Sequence, residues 1–309
     1  MEREGKAFPF EDILVGLTAT KADEELLEYA RLLSGLTQRL RFRFVHVLGV
    51  HSDAGDRAPR VTASEAFDTI SVSVSRFFPE TSRDTTVSCH VVEGPRIDRL
   101  LEFAVLERSD LILVGHRPGR TGRRSMTRRL AMKGPCSVWV VPAGAPLTIS
   151  RVMAAVDFSA HSAEALSAAT GVCSGARLDR CTSLTIYFND LTIGWSKLNE
   201  EIIRTQRAEW LRFLHPLELH GITVEPVFEE GYGVAGTILA AARRQGADLI
   251  VMGTRGRSPS AAVLLGSESE QVIMETRVPV LIVKPVGERE GLLQALLSGK
   301  LRTEHVAAG

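Results

Sequence analysis

The sequence predicts an α/β protein made of two tandem, doubly wound domains, each built on a five-stranded parallel sheet. Short runs rich in Val, Ile and Leu alternate with segments whose apolar residues recur every three or four positions. The chain also repeats itself, most visibly in "DLILVG" (110–115) and "DLIVMG" (248–253). Strands that alternate with helices favour parallel pairing through right-handed crossovers.

Each copy supplies five candidate strands, and their continuous apolar character is typical of strands buried on both faces. In the first copy they lie in 12–20, 43–50, 85–94, 108–117 and 136–142; in the second they lie in 151–159, 183–190, 222–231, 246–255 and 278–285. Helical spacing marks 22–36, 96–110, 162–176 and 234–248, and 190–220 reads as a long amphipathic helix.

These patterns set the expected domain boundaries. We expect one domain over 8–143, a second over 149–286, and a tail over 287–309 that forms a short accessory helix. The linker "PAGAPLTIS" contains two prolines, a glycine and no charge. The last strand of each domain is strongly apolar, so we expect the two edges to pair in a pseudo-dimer.

Composition limits the function classes. The 309 residues include 37 Lys or Arg and 37 Asp or Glu, a formal net charge of zero that provides no global attraction to nucleic acid or membrane. No apolar run reaches the roughly 18 residues of a membrane span, and the charged start does not resemble a secretory signal. The four cysteines form no C-x-x-C pair, which argues against a zinc site or disulfide scaffold. We therefore expect a cytoplasmic protein.

A candidate anion site lies at the carboxyl edge of the second sheet. Gly253 and Gly256 follow a buried strand, and Gly266 and Ser267 precede a helical pattern. Free amides and the dipole at a helix N-terminus favour anions, and Asp157 ends another strand at the same edge. The Walker A pattern is absent, as is G-x-G-x-x-G after the first strand. The pattern indicates phosphate binding without a lysine, beside a carboxylate that accepts hydrogen bonds from ribose.

The order of these elements resembles the universal stress protein family. The resemblance is carried by "VDFS" (156–159), "ADLIVMGTRG" (247–256) and "VPVLIVKP" (278–285), and it extends over both copies. The family's nucleotide signature is Gly, two residues, Gly, nine residues, Gly, then Ser or Thr. Gly253, Gly256, Gly266 and Ser267 fit it.

The resemblance implies an ATP-binding α/β fold, commonly dimeric, that acts in stress survival rather than as a strong catalyst. It implies that ATP, with or without Mg²⁺, is bound in the second domain. The implied contact residues are Asp157, Phe158, Ser159, Gly253, Thr254, Arg255, Gly256, Gly266, Ser267, Glu268 and Ser269. Asp157 would face the adenosine, and Gly266, Ser267 and Ser269 would hold phosphates. Glu268 departs from the family's usual apolar residue, and three roles stay open: it points outward, holds magnesium, or weakens binding.

The first copy departs further and predicts a degenerate nucleotide site. Thr18 replaces Asp157, Pro118 falls where Gly256 would be, and Arg123 matches Ser267 in a shortened loop. The same region, Arg117–Lys133, carries seven basic residues and no acid. It is either a solvated basic face, a surface for an unknown protein partner, or a polyanion site. The lack of interleaved aromatics argues against nucleic acid.

Three hypotheses about function follow. The first is a tandem stress protein that binds ATP in its second half and signals through conformation, with no catalysis beyond slow ATP hydrolysis. The second is an interaction scaffold that keeps the glycines only for loop shape. The third, an adenylating or ATP-hydrolysing enzyme, requires a glycine-containing loop after the first strand, which "VDFSAHS" lacks. His161, in that segment, reads as a helix-start residue rather than a catalytic base.

Overall fold

A computed structural model describes residues 8–49, 61–79, 85–117, 126–187, 195–231, 233–256 and 265–285, and for 195–200 the backbone alone. The chain divides into two compact units whose main parts are Phe10–Gly144, here the first repeat, and Ala145–Val283, here the second repeat. The predicted tail helix over 287–309 lies outside the described residues.

The first repeat is a parallel α/β sheet with strand order β3-β2-β1-β4-β5. Its strands are β1 (Asp12–Leu17), β2 (Leu40–Leu48), β3 (Thr85–Glu93), β4 (Leu111–His116) and β5 (Ser137–Pro142). Its helices are α1 (Glu24–Ser34), preceded by the 3-10 turn Lys21–Asp23, α2 (Ala63–Phe77), α3 (Arg96–Leu106) and α4 (Met126–Lys133).

The second repeat has the same parallel arrangement, in the order β8-β7-β6-β9-β10. Its strands are β6 (Val152–Ala155), β7 (Arg180–Tyr187), β8 (Thr223–Glu230), β9 (Leu249–Gly253) and β10 (Val280–Val283). Its helices are α5 (Ala160–Gly175), α6 (Trp195–Leu214), α7 (Val234–Gln245) and α8 (Ser267–Glu275).

Strands β5, β9 and β10 are buried on both faces, which explains their unbroken apolar sequence. Every residue of β9 and β10 is buried, and so is every residue of β5. In the first repeat the indole of Trp139 on β5 meets the ring of Tyr29 on α1 edge-on, with centroids 5.9 Å apart. Such an aromatic pair contributes about 0.5–1.5 kcal/mol beyond the area that it buries.

The same pair of hydrogen bonds, from two backbone amides to one aspartate side chain, recurs at the amino edge of both sheets. Asp110 accepts from the amides of Glu11 (2.8 Å) and Asp12 (3.1 Å), just before and at the start of β1. Asp248 accepts from the amides of Ser150 (2.9 Å) and Arg151 (3.0 Å), just before β6. The internal repeat seen in the sequence therefore extends to individual backbone contacts.

The predicted fold class is confirmed, but two helices were missed: α2, and α4 (Met126–Lys133), which lies in the basic stretch Arg117–Lys133 that was expected to be a loop. Helix α2 lies in a stretch to which the sequence analysis assigned no element. Its start carries a capping box in which Thr62 and Glu65 bond each other's backbone amides, a signal that is legible in the sequence. Within the described residues, no helix has both the length and the apolar character needed to cross a bilayer.

Candidate functional site

The turn after β6 fixes the carboxylate of Asp157 at the carboxyl edge of the second sheet. Asp157 Oδ1 accepts from the amide of Ser159 (3.1 Å) and from its hydroxyl (2.6 Å). Ser159 is the N-cap of α5, and its side chain accepts from the amide of Ser162 at 3.2 Å. Phe158, between Asp157 and Ser159, adopts the left-handed conformation with φ +63°. The side chain of Asp157 is therefore held by the turn that begins α5.

The end of β9 packs tightly against α5. A β-carbon placed on Gly253 would lie 2.8 Å from Cβ of His161 and 2.9 Å from its backbone carbonyl. Only glycine allows that approach. The next residue, Thr254, is fully buried, and its hydroxyl lies 3.3 Å from Nδ1 of His161.

The N-terminus of α8 is tied to the end of the same strand. The amide of Gly266, the N-cap residue, donates to the carbonyl of Thr254 at 2.8 Å. The buried hydroxyl of Ser269 donates to the carbonyl of Gly253 at 3.1 Å. Ser267, the first residue of α8, is exposed. The helix start is thus fixed at the edge of the sheet where Asp157 lies.

The carboxylate and the glycine loop meet directly. A β-carbon on Gly256 would lie 2.6 Å from Oδ2 of Asp157. Any larger residue at this position would push the carboxylate away. The structure therefore brings Asp157 next to Gly256, 99 positions away in the sequence, and joins the end of β9 at Gly253 and Thr254 to Gly266 and Ser269 at the start of α8.

Glu268 has a partner that the sequence did not indicate. Its Oε2 accepts a hydrogen bond of 2.8 Å from the amide of Ala235, in the first turn of α7. A carboxylate at that position satisfies a free amide and interacts favourably with the helix dipole. The side chain thus links the N-termini of α8 and α7.

The electrostatic surroundings of His161 favour its neutral form. Burial lowers the pKa of this imidazole, and the guanidinium of Arg255 lowers it further. The carboxylates of Asp157 and Glu164 act in the opposite direction but do not compensate. His161 is therefore placed as a neutral packing and hydrogen-bonding group beneath Gly253 and Thr254.

In the corresponding turn of the first repeat, the carboxylate lies at the end of the turn instead of at its start. Ala19 is left-handed with φ +57°, like Phe158. Thr18 stands where Asp157 would be, and the acid is Asp23, five residues later. Asp23 accepts from the amide (2.9 and 3.0 Å) and hydroxyl (2.7 Å) of Thr18, and from the amide of Thr20 (3.2 Å). Both oxygens of this buried carboxylate are engaged within the turn.

The first repeat nevertheless keeps an open cleft at its carboxyl edge. The cleft has a volume of about 790 Å³ and lies at the ends of β1, β4 and β5. Its walls include Thr18, Asp23, Glu25, Arg96, Arg117 and Pro142. The sequence predicts a degenerate site here, but it gives no sign that an open space remains.

Several predicted features are not described by the structure. Residues 257–264 of the glycine loop and 118–125 of the basic segment lie outside the described residues, and the latter range includes Pro118 and Arg123. Ser269 was expected to hold phosphate; its hydroxyl donates to Gly253 here, and the phosphate contact stays a prediction.

Two doubly wound parallel α/β repeats in one chain define a tandem Rossmann-like protein. The chain matches the universal stress protein family over residues 9–142 and 148–284 and belongs to that family. The resemblance noted from the sequence is thereby confirmed for both repeats.

Individual relatives match shorter segments. A universal stress protein of Thermus aquaticus is 41% identical over 81 residues, 26% of this chain and 58% of that protein. One of Methanocaldococcus jannaschii is 36% identical over 89 residues, 28% of this chain and 52% of that protein. The chain thus spans little more than half the length of these relatives.

A solved structure shares the whole architecture. A functionally unknown protein of Pseudomonas aeruginosa PAO1 superposes with a TM-score of 0.67 at 18% identity, and the match covers 94% of this chain and 98% of that one. At this level of identity the likeness establishes the fold.

Proposed function

We propose that the second repeat binds ATP and that the protein acts in the stress response through nucleotide-dependent changes in its interactions. The observation that carries this proposal is the contact between the carboxylate of Asp157 and Gly256. It supports a site in which an acid able to accept hydrogen bonds from ribose hydroxyls adjoins a glycine loop.

The chemistry of the neighbouring groups fits the anionic part of a nucleotide. The exposed Ser267 opens α8, where backbone amides and the helix dipole favour phosphate. Gly253, Gly256, Gly266 and Ser267 carry the nucleotide signature of the family. The phosphates would be held by these amides and hydroxyls, without a lysine, while Asp157 would orient the ribose.

We propose binding rather than catalysis. His161, the imidazole nearest the turn, has Nδ1 directed at the hydroxyl of Thr254, and its backbone is packed under Gly253. This arrangement suits a residue that shapes the site. We further propose that the protein is cytoplasmic and forms a homodimer or an intramolecular pseudo-dimer. ATP would be bound with or without Mg²⁺ on its phosphates.

Calorimetric titration of the full chain with ATP tests the proposal, with and without Mg²⁺. Gly266→Glu places a charged side chain at the N-cap of α8 and should abolish binding. Gly256→Ala should weaken binding because its methyl group displaces the carboxylate of Asp157.

The matched control is Gly236→Ala. The same methyl group is added on α7, where a β-carbon would meet no atom within 4 Å. The control should bind ATP as the wild type does. If wild type fails to bind ATP at millimolar concentration, or if Gly256→Ala and Gly266→Glu both bind normally, the proposal is wrong.

A second candidate is an interaction scaffold of the same fold that binds no nucleotide. Two observations favour it: Glu268 brings a negative charge to the start of α8, and the hydroxyl of Ser269 already donates to Gly253. An absence of ATP binding in a folded wild-type protein would select this alternative.

A further inference from the structure

We infer that the cleft of the first repeat is a second binding site, for a small molecule that carries a phosphate or pyrophosphate group and is held by Arg96 and Arg117. The inference does not depend on ATP binding in the second repeat. It rests on the shape of the cleft, on the state of its acids, and on the placement of its two arginines.

The cleft has the size and position of a ligand site. Its volume of about 790 Å³ lies within the range of roughly 300–1,000 Å³ typical of small-molecule pockets. Gly16, Gly115 and Pro142 line it, which places it at the carboxyl ends of β1, β4 and β5. Open α/β sheets bind ligands at this edge.

The acids of the cleft are engaged in holding its walls. Asp23 uses both oxygens on Thr18 and Thr20. Glu25 accepts from the amide of Gly144 at 2.8 Å through Oε2. A ribose in this cleft would therefore not find an acceptor at the position of Asp157, and selection for a nucleoside is weakened.

The two arginines enter the cleft from separate walls. Arg96 is the first residue of α3, and Arg117 follows the last residue of β4. Both are exposed, and neither forms an ion pair with any residue that the structure describes. Two other arginines near this sheet are ion-paired instead: Arg99 with Glu102 at 2.6 Å, and Arg43 with Glu107 at 2.9 Å.

Two arginines that line one cleft suit a phosphate group. A guanidinium presents a planar fork of donors that binds phosphate oxygens bidentately. Arg96 also lies in the first turn of α3, where the helix dipole adds to the attraction. The cleft of the first repeat would therefore select its ligand by the anionic group. The second repeat differs, because its carboxylate, Asp157, can also accept hydrogen bonds from a ribose.

The test uses the full-length chain and inorganic pyrophosphate as the probe, measured by calorimetry at low ionic strength. Wild type should bind pyrophosphate. Arg96→Ala and Arg117→Ala should each weaken binding by about tenfold or more, as expected for a lost hydrogen bond to a charged group. Arg39→Ala removes an exposed arginine at the opposite edge of the same sheet and should leave the affinity unchanged.

A second arm separates this site from the proposed ATP site. Gly266→Glu should retain pyrophosphate binding, and the two arginine variants should retain any ATP binding seen in the second repeat. The inference is overturned if wild type does not bind pyrophosphate at millimolar concentration. It is also overturned if binding is lost in Gly266→Glu but kept in both arginine variants, since the probe then occupies the second repeat.

Discussion

Gly253 and His161 lie in backbone contact, so close that a β-carbon on the glycine would come within 2.9 Å of the histidine carbonyl carbon and oxygen. The contact joins the end of β9 to the first turn of α5. Backbone atoms cannot move aside as a flexible side chain can. Position 253 therefore accommodates glycine and no larger residue without a shift of β9 or α5.

Replacing this glycine should destabilise the second repeat. Gly253→Ala forces a shift of β9 or α5, and overpacking of this kind costs about 1–3 kcal/mol. The first repeat supplies the matched control, because a β-carbon on Gly115, the corresponding residue, meets nothing within 4 Å. Urea denaturation should show a clear loss for Gly253→Ala and a change within about 0.5 kcal/mol for Gly115→Ala. Equal effects would contradict the packing described here.

Asp23 should be a structural residue of the first repeat. Asp23→Ala removes the buried carboxylate that accepts from the amides of Thr18 and Thr20 in an otherwise exposed turn. The expected loss is about 1–3 kcal/mol in the free energy of unfolding, measured with urea. Asp68→Ala, at an exposed position on α2, is the control and should change little. Similar stabilities for the two variants would refute this role.

Glu268 should stabilise the start of α7. Glu268→Ala removes the acceptor for the amide of Ala235 and should cost about 0.5–1.5 kcal/mol. Glu268→Gln keeps a carbonyl oxygen for the same bond and loses only the charge, so it should retain most of the stability. Thermal unfolding of the two variants provides the measurement; a larger loss for Gln than for Ala would be inconsistent with this hydrogen bond.

The depressed pKa of His161 predicts a pH dependence of stability. Its ordinary value is about 6.5 in the unfolded chain. Burial and Arg255 lower the pKa in the folded protein. Between the two values the unfolded state binds more protons, so stability falls as pH decreases from about 6.5 towards the folded pKa, and the contribution is complete above 6.5.

His90 contributes in the same direction, since burial lowers its pKa as well. Urea denaturation between pH 7.5 and 5.5 should therefore show decreasing stability. His161→Gln should make the decrease shallower by removing one of the two groups. An unchanged slope in that variant would show that His161 does not titrate as described.

The sequence predicted the sheets well because a parallel strand buried on both faces leaves an unmistakable apolar run. It also placed Asp157, Gly253 and Gly266 at one edge, since the carboxyl ends of parallel strands coincide. The partner of Glu268 could not be predicted in this way. Its hydrogen bond to Ala235 spans 33 residues and depends on how α7 and α8 approach each other.

The first-repeat cleft was beyond sequence analysis for a related reason. Thr18 at the position equivalent to Asp157 predicted a changed site. The volume of the cleft, however, depends on the distances between segments from four parts of the chain, which the sequence does not give. Relocation of the acid to Asp23 left a partial signal, because Thr20 and Asp23 form a capping box at the turn.

The shared left-handed residue in the two turns, Ala19 and Phe158, has a consequence for how such a duplicated protein diversifies. Segments 18–23 and 157–162 share this residue, and in each the acid bonds within its own turn, Asp23 through both oxygens and Asp157 through Oδ1. A chimera that carries the second segment in the first repeat should fold normally. Substitutions within these six positions can thus change the ligand preference of one repeat without altering its sheet.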